Sequence, residues 1–177
     1  MPVAVDYEIY PLIDALDLEE YPGAPFSDAI VDSAVGTVRD VAGWHIAPQV
    51  TETLSLNSDG GRILLLPTMR IVSVTEVRDM SDPDRPRVLT GWRKSSRLGA
   101  LSLAQGWPCG FESVEVDLVH GYAECPRSLL PVLADLAGLM SVSGSVVQES
   151  SGQESVTYRA TAQRSPALDL YRLRSAP

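Results

Sequence analysis

The chain has 177 residues, of which 45% are hydrophobic, and a formal net charge of -9 at pH 7. This size suits one domain, or one domain with arms, and the negative charge disfavours a protein that grips nucleic acid over its whole surface. No apolar run is long enough to cross a membrane, and we expect no secretion signal because the first ten residues lack a basic start and a long apolar core.

The first 25 residues contain four prolines and predict a mostly irregular arm, with at most a short helix around residues 12–20. A helix is predicted from about residue 27 to 43. Ser27 suits the N-cap, apolar residues recur at helical spacing from Ile30 to Ala42, and Gly43 can end the helix in a left-handed conformation.

After this helix the apolar period changes from 3.6 to 2, which predicts antiparallel strands between about residues 50 and 120. The alternation is clear in "VTETLSLN" (50–57) and cleanest in "FESVEVDLVHGY" (111–122). Shorter strands are predicted in "RILLLP", "IVSVTEV", "VLTGW" and "LGALSLA". We interpret "NSDGG" as a hairpin turn and "DMSDPDRPR" as a loop.

A second helix is predicted at about residues 126–140, and it is apolar on nearly every side. Such a helix must be buried on more than one side, either within its own chain or at a subunit interface. The residues that we assign to subunit packing are Leu129, Leu133, Leu136 and Met140.

The two ends of the chain differ in composition and charge. Up to Phe26 there are six acids and no base, whereas from Val156 onward four arginines face the single acid Asp169. A Ser-, Gly- and Gln-rich segment after residue 141 is typical of a mobile linker, and the tail beyond it is apolar enough to dock on a partner. Head-to-tail contact between copies, docking on an acidic partner and two solvated termini all fit this polarity.

The sequence supplies no recognisable catalytic set, so we predict no enzyme activity, no metal site and no cofactor. The two cysteines are too few for a disulfide scaffold, which favours a reducing cytoplasm, and with the two histidines they lack zinc-site spacing. A metal-dependent hydrolase that uses His45, Asp82 and Asp84 is the alternative, although the two aspartates lack the spacing of a calcium loop.

A basic cluster without an intervening acid flanks Trp92, in what we interpret as a hairpin. It could contact DNA phosphates or an acidic neighbour, or it could be an edge hairpin that charge keeps soluble. Its members are Arg85, Arg87, Arg93, Lys94 and Arg97.

Residues 42–77, "AGWHIAPQVTETLSLNSDGGRILLLPTMRIVSVTEV", resemble the head-to-tail adaptor (head-tail connector) proteins of long-tailed bacteriophages, particularly those that infect actinobacteria. The similar features are a helix that ends in a Gly-Trp-His step, a Pro-x-Val-Thr-Glu-Thr strand, a Gly-Gly turn and a Leu-Leu-Leu-Pro segment. "WPCGFESVEVDLVHGY" resembles the closing strand of the family, and "CPRSLLPVLADLAG" resembles its second long helix. "QESSGQESVTYR" and "LDLYRLRS" resemble its C-terminal arm, so the resemblance runs from about residue 27 to 174.

The resemblance implies a virion structural protein at the head-tail interface, assembled in the cytoplasm of the bacterial host. Such adaptors form a ring, usually of twelve copies, beneath the portal, and receive a stopper or tail-terminator protein on the other face. Double-stranded DNA passes through the ring without sequence-specific binding, and no membrane is involved. The implied portal contacts in this chain are Tyr158, Arg159, Arg164, Leu170, Tyr171, Arg172 and Leu173.

Together, the patterns and the resemblance predict an α+β chain with long helices at about 27–43 and 126–140. Between the helices lies a strand-rich antiparallel middle at about 50–120, by which this chain departs from smaller, helical members of the family. We expect an N-terminal arm at 1–25, an adaptor core at 26–140 and a portal-docking arm at 141–177, with both arms extended. The alternative function is a small DNA-binding module that uses the basic 85–97 hairpin.

Overall fold

A computed structural model describes residues 11–95, 98–143 and 158–173. Within these residues the chain forms two compact units. The β unit comprises residues 49–95 and 98–121, and the helical unit comprises residues 11–48, 122–143 and 158–173. One unit contains antiparallel sheets and the other contains helices, so the predicted α+β class is confirmed.

Helix α1 of the helical unit spans Asp28–Ala42, as the sequence predicts. Ser27 is the N-cap in an extended conformation, and Asp28 places a negative charge in the first turn, where it favours the helix dipole. Gly43 ends the helix with φ 81°, and its N–H donates to the carbonyl of Arg39. The buried face of α1 consists of Val31, Ala34, Val35, Val38 and Ala42.

Helix α2 spans Leu130–Ser143 and follows a 3-10 helix at Arg127–Leu129, so the second predicted helix is also confirmed. It packs against α1. A 3-10 helix at Ala15–Leu18 lies where a short helix was expected and contacts α2 as well. Because Leu12, Ile13 and Leu18 are buried, the described part of the N-terminal arm belongs to the body of the helical unit.

The described part of the C-terminal arm is helical, although we expected an extended arm. Helix α3 covers residues 158–163, and α4 spans Pro166–Asp169. Ser165 is the N-cap of α4 and Pro166 lies in its first turn, where a missing N–H has no cost. Alanines in and before α4 favour the helical state, and contacts of α4 with α1 supply the burial that a short helix needs.

The β unit contains two antiparallel sheets within the described residues. The larger sheet has the strand order β1-β7-β3-β4, and the smaller has the order β2-β6-β5. The alternating segments predicted at 50–57 and 111–122 are β1 and β7, which pair with each other in the larger sheet. The strands are β1 Val50–Ser58, β2 Ile63–Leu65, β3 Ile71–Asp79, β4 Arg87–Val88, β5 Arg93–Lys94, β6 Ala100–Ser102 and β7 Gly110–His120.

Both sheets contribute to one hydrophobic core. Val77 of β3 faces Val116 of β7 in the larger sheet, and Leu101 of β6 is fully buried in the smaller one. Trp107 joins this core, and its indole N–H donates to the carbonyl of Arg62 at 3.2 Å. The other buried members are Leu64, Leu66, Ile71, Leu103, Val114 and Leu118.

Two local predictions in the β unit were wrong. "NSDGG" is a turn but not a hairpin turn, because β1 pairs with β7 whereas β2 pairs with β6. The strand expected at "VLTGW" is mostly the connection between β4 and β5, where Gly91 adopts φ 82°. The alternation of apolar and polar residues along one strand indicates which side chains are buried, but it does not identify the neighbouring strand in the sheet.

Gly99 and Gly36 make a matched pair for testing this packing. A Cβ at Gly99 would lie 1.4 Å from the backbone oxygen of Thr68, whereas a Cβ at Gly36 in α1 would meet nothing within 4 Å. We expect Gly99→Ala to lower the free energy of unfolding by about 2–3 kcal/mol. Gly36→Ala should raise it by about 0.5–1 kcal/mol through its better helix propensity. Denaturant unfolding measures both values, and equal effects would contradict the packing described.

Candidate functional site and assembly surfaces

The Trp-His step after α1 is structural. The imidazole of His45 is buried, its Nε2 lies 2.9 Å from the carbonyl oxygen of Pro48, and its ring stands edge-on to Trp44 at 5.7 Å. Arg39 reaches over the same turn and donates to the carbonyls of His45 at 3.0 Å and Ala47 at 2.9 Å. These bonds satisfy carbonyl groups beyond the end of the helix, so the turn is built for rigidity.

Three aromatic residues, which we call the aromatic clamp, hold the C-terminal segment to this turn. The ring of Tyr122 lies between those of Trp44 and Tyr171, tilted by 44° to Trp44 at 6.1 Å and edge-to-face with Tyr171 at 5.7 Å. The indole N–H of Trp44 donates to the carbonyl of Tyr171 at 2.5 Å, and the Tyr171 hydroxyl lies 2.8 Å from Ser128 Oγ. The ordering of Tyr171 therefore depends on contacts from three separate stretches of the chain.

Two neighbours of Tyr171 are also engaged within the helical unit. The N–H of Leu173 donates to the carbonyl of Ala42 at 2.9 Å, and its side chain packs over Gly43. The guanidinium of Arg172 lies 3.0 Å from Asp169 and also donates to the carbonyl of Gln163. Three of the predicted portal-contact residues thus anchor the segment on its own chain.

The remaining predicted portal-contact residues are more accessible. Tyr158 is half-buried, and Arg159 makes an exposed ion pair with Asp40 at 3.2 Å. Arg164 is exposed, and Leu170 is 72% exposed beside the aromatic clamp. A charged side chain and an aliphatic one are therefore presented to solvent by an anchored segment.

Three of the four residues assigned to subunit packing are used inside the chain. Leu129, Leu133 and Leu136 are at most 1% exposed, and Met140 is half-buried. The core of the helical unit thus accounts for much of the apolar surface of α2. The large hydrophobic residues of α2 that remain exposed are Leu139 and Val142, at 44% and 69%.

The basic residues between 85 and 97 do not form a hairpin, so that prediction was wrong. Strand β4 pairs with β3 in the larger sheet, and β5 pairs with β6 in the smaller one. Arg97 lies outside the described residues. The exposed members of the group are Arg85, Arg87, Arg93 and Lys94.

The charged end of Lys94 makes hydrogen bonds within the β unit. Its ammonium donates to the carbonyl of Val72 at 2.7 Å and lies 3.3 Å from that of Ile71. The cluster that looked continuous in sequence is therefore divided between two sheets, with one of its cations bound to backbone carbonyls of β3.

A charged network that the sequence did not reveal covers the outer face of the larger sheet. Arg78 of β3 contacts Glu76 and Glu115 at 2.5 Å each, and Asp117 at 2.7 Å. The hydroxyl of Thr53 on β1 donates to Asp117. Three carboxylates around one guanidinium leave this face with a net negative charge.

The contacts in this network favour the charged forms of Arg78 and Asp117. Burial tends to raise the pKa of Asp117, but hydrogen bonds from Thr53 and Arg78 and the charge of Arg78 outweigh burial and hold that pKa below its ordinary value. Hydrogen bonds to Asp117 and Glu76 raise the pKa of Arg78, which stays charged at any physiological pH. Arg78 and Asp117 are therefore both charged at neutral pH.

Glu52 occupies the inner face of β1, where the sequence pattern places it among aliphatic residues. Its carboxylate lies 2.6 Å from Nε2 of His120, and both side chains are almost wholly buried. His120 is the last residue of β7. The pair explains why an acid interrupts an apolar face, since a buried carboxylate needs a close polar partner.

A cleft of about 370 Å³ in the helical unit contains Cys125. Burial, followed by the charge of Asp17, raises the pKa of the Cys125 thiol to about 12, against a smaller lowering effect of Arg39. The thiol is therefore protonated at neutral pH and is a poor nucleophile. Other residues that line the cleft are Leu12, Ile13, Asp14, Glu124 and Leu130.

The described residues do not bring together a metal-binding group. Within 11–95, 98–143 and 158–173, no three His, Cys, Asp or Glu side chains could hold a metal ion together. Asp82 and Asp84 lie in an exposed loop, and His45 belongs to the helical unit. None of the helices in this part of the chain is long and apolar enough to span a membrane.

No protein-family model and no curated protein matches the sequence. The fold is similar to chains in solved structures of gene transfer agent (GTA) particles. A chain in the neck of the empty particle, computed with C6 symmetry, has a TM-score of 0.60 at 15% identity over 94% of this chain and 92% of that chain. A chain in the neck of the native particle, computed with C12 symmetry, has a TM-score of 0.54 at 18% identity over 84% and 82%. A chain in the virion of the native particle has a TM-score of 0.58 at 15% identity over 94% and 92%.

The Arg78 network predicts acid-sensitive stability. Because the folded-state pKa of Asp117 is depressed, its contribution is present above about pH 4 and is lost as the pH falls through the folded pKa. We expect Asp117→Asn to lower the free energy of unfolding by about 1 kcal/mol at pH 7. The difference from the unchanged protein should shrink below pH 4. Asp135→Asn on the exposed side of α2 is the control, and a difference that is constant with pH would contradict the assignment.

The two cysteines should differ in reactivity. Cys109 is exposed, whereas a pKa of about 12 leaves Cys125 with roughly one thiolate in ten thousand at pH 8. We expect iodoacetamide to alkylate Cys109 at least a hundredfold faster than Cys125 in the folded protein. In denaturant the two rates should become similar. Peptide mass spectrometry separates the two sites, and rapid native alkylation of Cys125 would show that the cleft does not suppress the thiolate.

Proposed function

We propose that this chain is a virion structural protein, a head-to-tail adaptor at the junction between a DNA-filled capsid and a tail. Copies of the chain form a ring, with twelve as the expected number, around a channel for double-stranded DNA. One face of the ring binds the portal, and the other receives a stopper or tail-terminator protein. Assembly takes place in the cytoplasm of the bacterial host, and the chain has no enzymatic role.

The observation that carries this proposal is the similarity of fold to the GTA neck chains. The alignment extends over 94% of this chain and 92% of a chain in a neck computed with C6 symmetry, so it includes both the helical and the β unit. A second similar chain comes from a neck computed with C12 symmetry, which accords with a ring of identical copies. The residue motifs quoted above suggest the same class of protein independently.

Lateral contacts in the ring are assigned to the exposed side of α2. Leu139 and Val142 leave aliphatic surface in solvent near the end of a helix whose opposite side is held by buried leucines. Such surface is stabilised when another subunit covers it. Of the residues that the sequence assigned to subunit packing, Leu129, Leu133 and Leu136 instead hold α2 in place within its own chain.

Portal binding is assigned to the C-terminal segment, in keeping with the proposed division into arm (1–25), core (26–140) and docking arm (141–177). Arg159, Arg164 and Leu170 are the exposed candidates for direct contact. Tyr171, Arg172 and Leu173 contribute indirectly, because their contacts within the chain fix the segment that carries Leu170. Rigid presentation lowers the entropy cost of binding a partner.

The charge of the chain suits passage of DNA without binding. Twelve copies with a net charge of -9 each give a ring with roughly a hundred negative charges. At distances below a Debye length of about 8 Å, such a wall repels phosphate and lets the duplex slide. The alternative of a DNA-binding module has less support, because the described basic residues between 85 and 97 do not form the hairpin that it requires.

An electron-microscopy map of the intact particle tests the proposal. We expect density for this chain as a twelve-fold ring between capsid and tail. Particles that lack the chain at this junction would contradict the function.

A pair of substitutions then tests the lateral contact. Leu139→Glu with Val142→Glu should lower ring formation at least tenfold while leaving the circular dichroism spectrum unchanged, because unpaired carboxylates would be buried between subunits. Val88→Glu, which also changes an exposed aliphatic residue (59%), is the matched control and should leave the ring intact.

A further inference from the structure

Strand β2 is an edge of the smaller sheet. The order β2-β6-β5 gives it one neighbour, β6, and among the described strands it pairs with no other. One side of its backbone is therefore available for another strand. An edge of this kind can accept an extended segment through main-chain hydrogen bonds.

The register identifies which residues face the available side. Leu103 donates to the carbonyl of Arg62 at 2.9 Å, and Leu66 donates to the carbonyl of Gly99 at 2.7 Å. In an antiparallel pair the residues that bond to the neighbour alternate with residues that do not. Positions 62, 64 and 66 therefore face β6.

The N–H and C=O groups of Ile63 and Leu65 consequently point away from β6. The side chains of the same two residues are 66% and 40% exposed. Pro67 follows and has no N–H to offer, which limits the available edge to this short length. Within the described chain, the edge combines hydrogen-bonding groups with aliphatic surface.

The other edges of the two sheets carry features that discourage pairing. Strand β5 consists of Arg93 and Lys94, and β4 is two residues long and begins with Arg87. Strand β1 turns Thr51 and Thr53 to solvent. Charged, short and polar edges resist association, so β2 stands apart as an apolar edge.

The first ten residues of the sequence contain a segment that suits this edge. Within the arm that we predict to be mostly irregular, "MPVAVDYEIY" places the large apolar residues Val3, Val5, Tyr7 and Ile9 on one side of an extended segment and Ala4, Asp6 and Glu8 on the other. Ten residues in extended conformation reach about 33 Å. The segment is thus long enough to leave its own chain and pair with another.

Charges favour the same pairing. Asp6 and Glu8 follow the Val-Ala-Val stretch, and no base occurs in the first ten residues. On the acceptor, Arg62 adjoins Ile63 and is exposed. An acidic strand beside this edge therefore meets opposite charge.

We propose that the free edge of β2 binds the Val3–Val5 stretch of a neighbouring copy as an added strand. This inference rests on the proposed function, since it requires neighbours in a ring. Exchange of an arm is a heterologous contact, so it repeats identically from copy to copy until the ring closes. Pairing of two β2 edges with each other would instead have two-fold symmetry and would stop at a dimer.

Mixing two single-cysteine variants tests whether the contact is between copies. Val5→Cys and Leu65→Cys are each prepared with both Cys109→Ser and Cys125→Ser, carry tags of different size, and are oxidised together under ring-forming conditions. Cross-strand residues bring their Cβ atoms within about 5 Å, which permits a disulfide. We expect a cross-linked species containing one copy of each. The absence of this species overturns the proposal. A third variant carries both Val5→Cys and Leu65→Cys, and a cross-link that forms only within this chain also overturns the proposal.

A proline scan of two edges provides the second test. Leu65→Pro removes an N–H that faces away from β6, and Val88→Pro removes the equivalent outward N–H of β4, because Leu89 rather than Val88 donates to Val77. We expect Leu65→Pro to lower ring formation at least tenfold and Val88→Pro to leave it unchanged, with normal circular dichroism for both. Rings that form normally with Leu65→Pro overturn the added strand alone, whereas particles without a ring overturn the proposed function.

Discussion

Strand β7 pairs on both sides, with β1 on one edge and β3 on the other, and the larger sheet depends on these two ladders. Its inner residues, Val114, Val116 and Leu118, enter the hydrophobic core, while Glu115 and Asp117 hold Arg78 on the outer face. Loss of β7 would leave β1 without a described partner and would open the core to water. Because its partners are distant in sequence, this sheet forms only after long loops have closed, at a cost in chain entropy.

The parts of the fold that follow from local chemistry could be predicted from the sequence. Helix α1 has an N-cap at Ser27, an apolar face and a left-handed glycine at its end, and each of these features acts within a few residues. The alternation in β1 and β7 is local as well. Which sheet a strand joins is decided by contacts between remote segments, so β1 and β2 were wrongly joined in a hairpin although the turn between them was recognised.

The charged groups also include some that the sequence could predict and some that it could not. Glu115 and Asp117 were recognisable as the polar face of a strand, but the position of Arg78 between them depends on the register of β3 against β7. Glu52 and His120 form a buried pair across β1 and β7, and spacing in the sequence gives no indication of it. The basic residues at 85–97 illustrate the opposite case, in which neighbours in sequence belong to different sheets. The motifs were more informative about which known fold this chain resembles, because their order along the chain is retained whatever the pairing.

The attachment of the C-terminal segment has a mechanical meaning. The Leu173 N–H binds the carbonyl of Ala42 and the Tyr171 carbonyl accepts from Trp44, so residues 171–173 are fastened across the last turn of α1. Tension applied beyond residue 173 is therefore transmitted first to the end of α1, and the edge-to-face contact of Tyr122 with Tyr171 shares the load. In the adaptor role that we propose, strain from packaged DNA would pass into the body of the helical unit through this fastening.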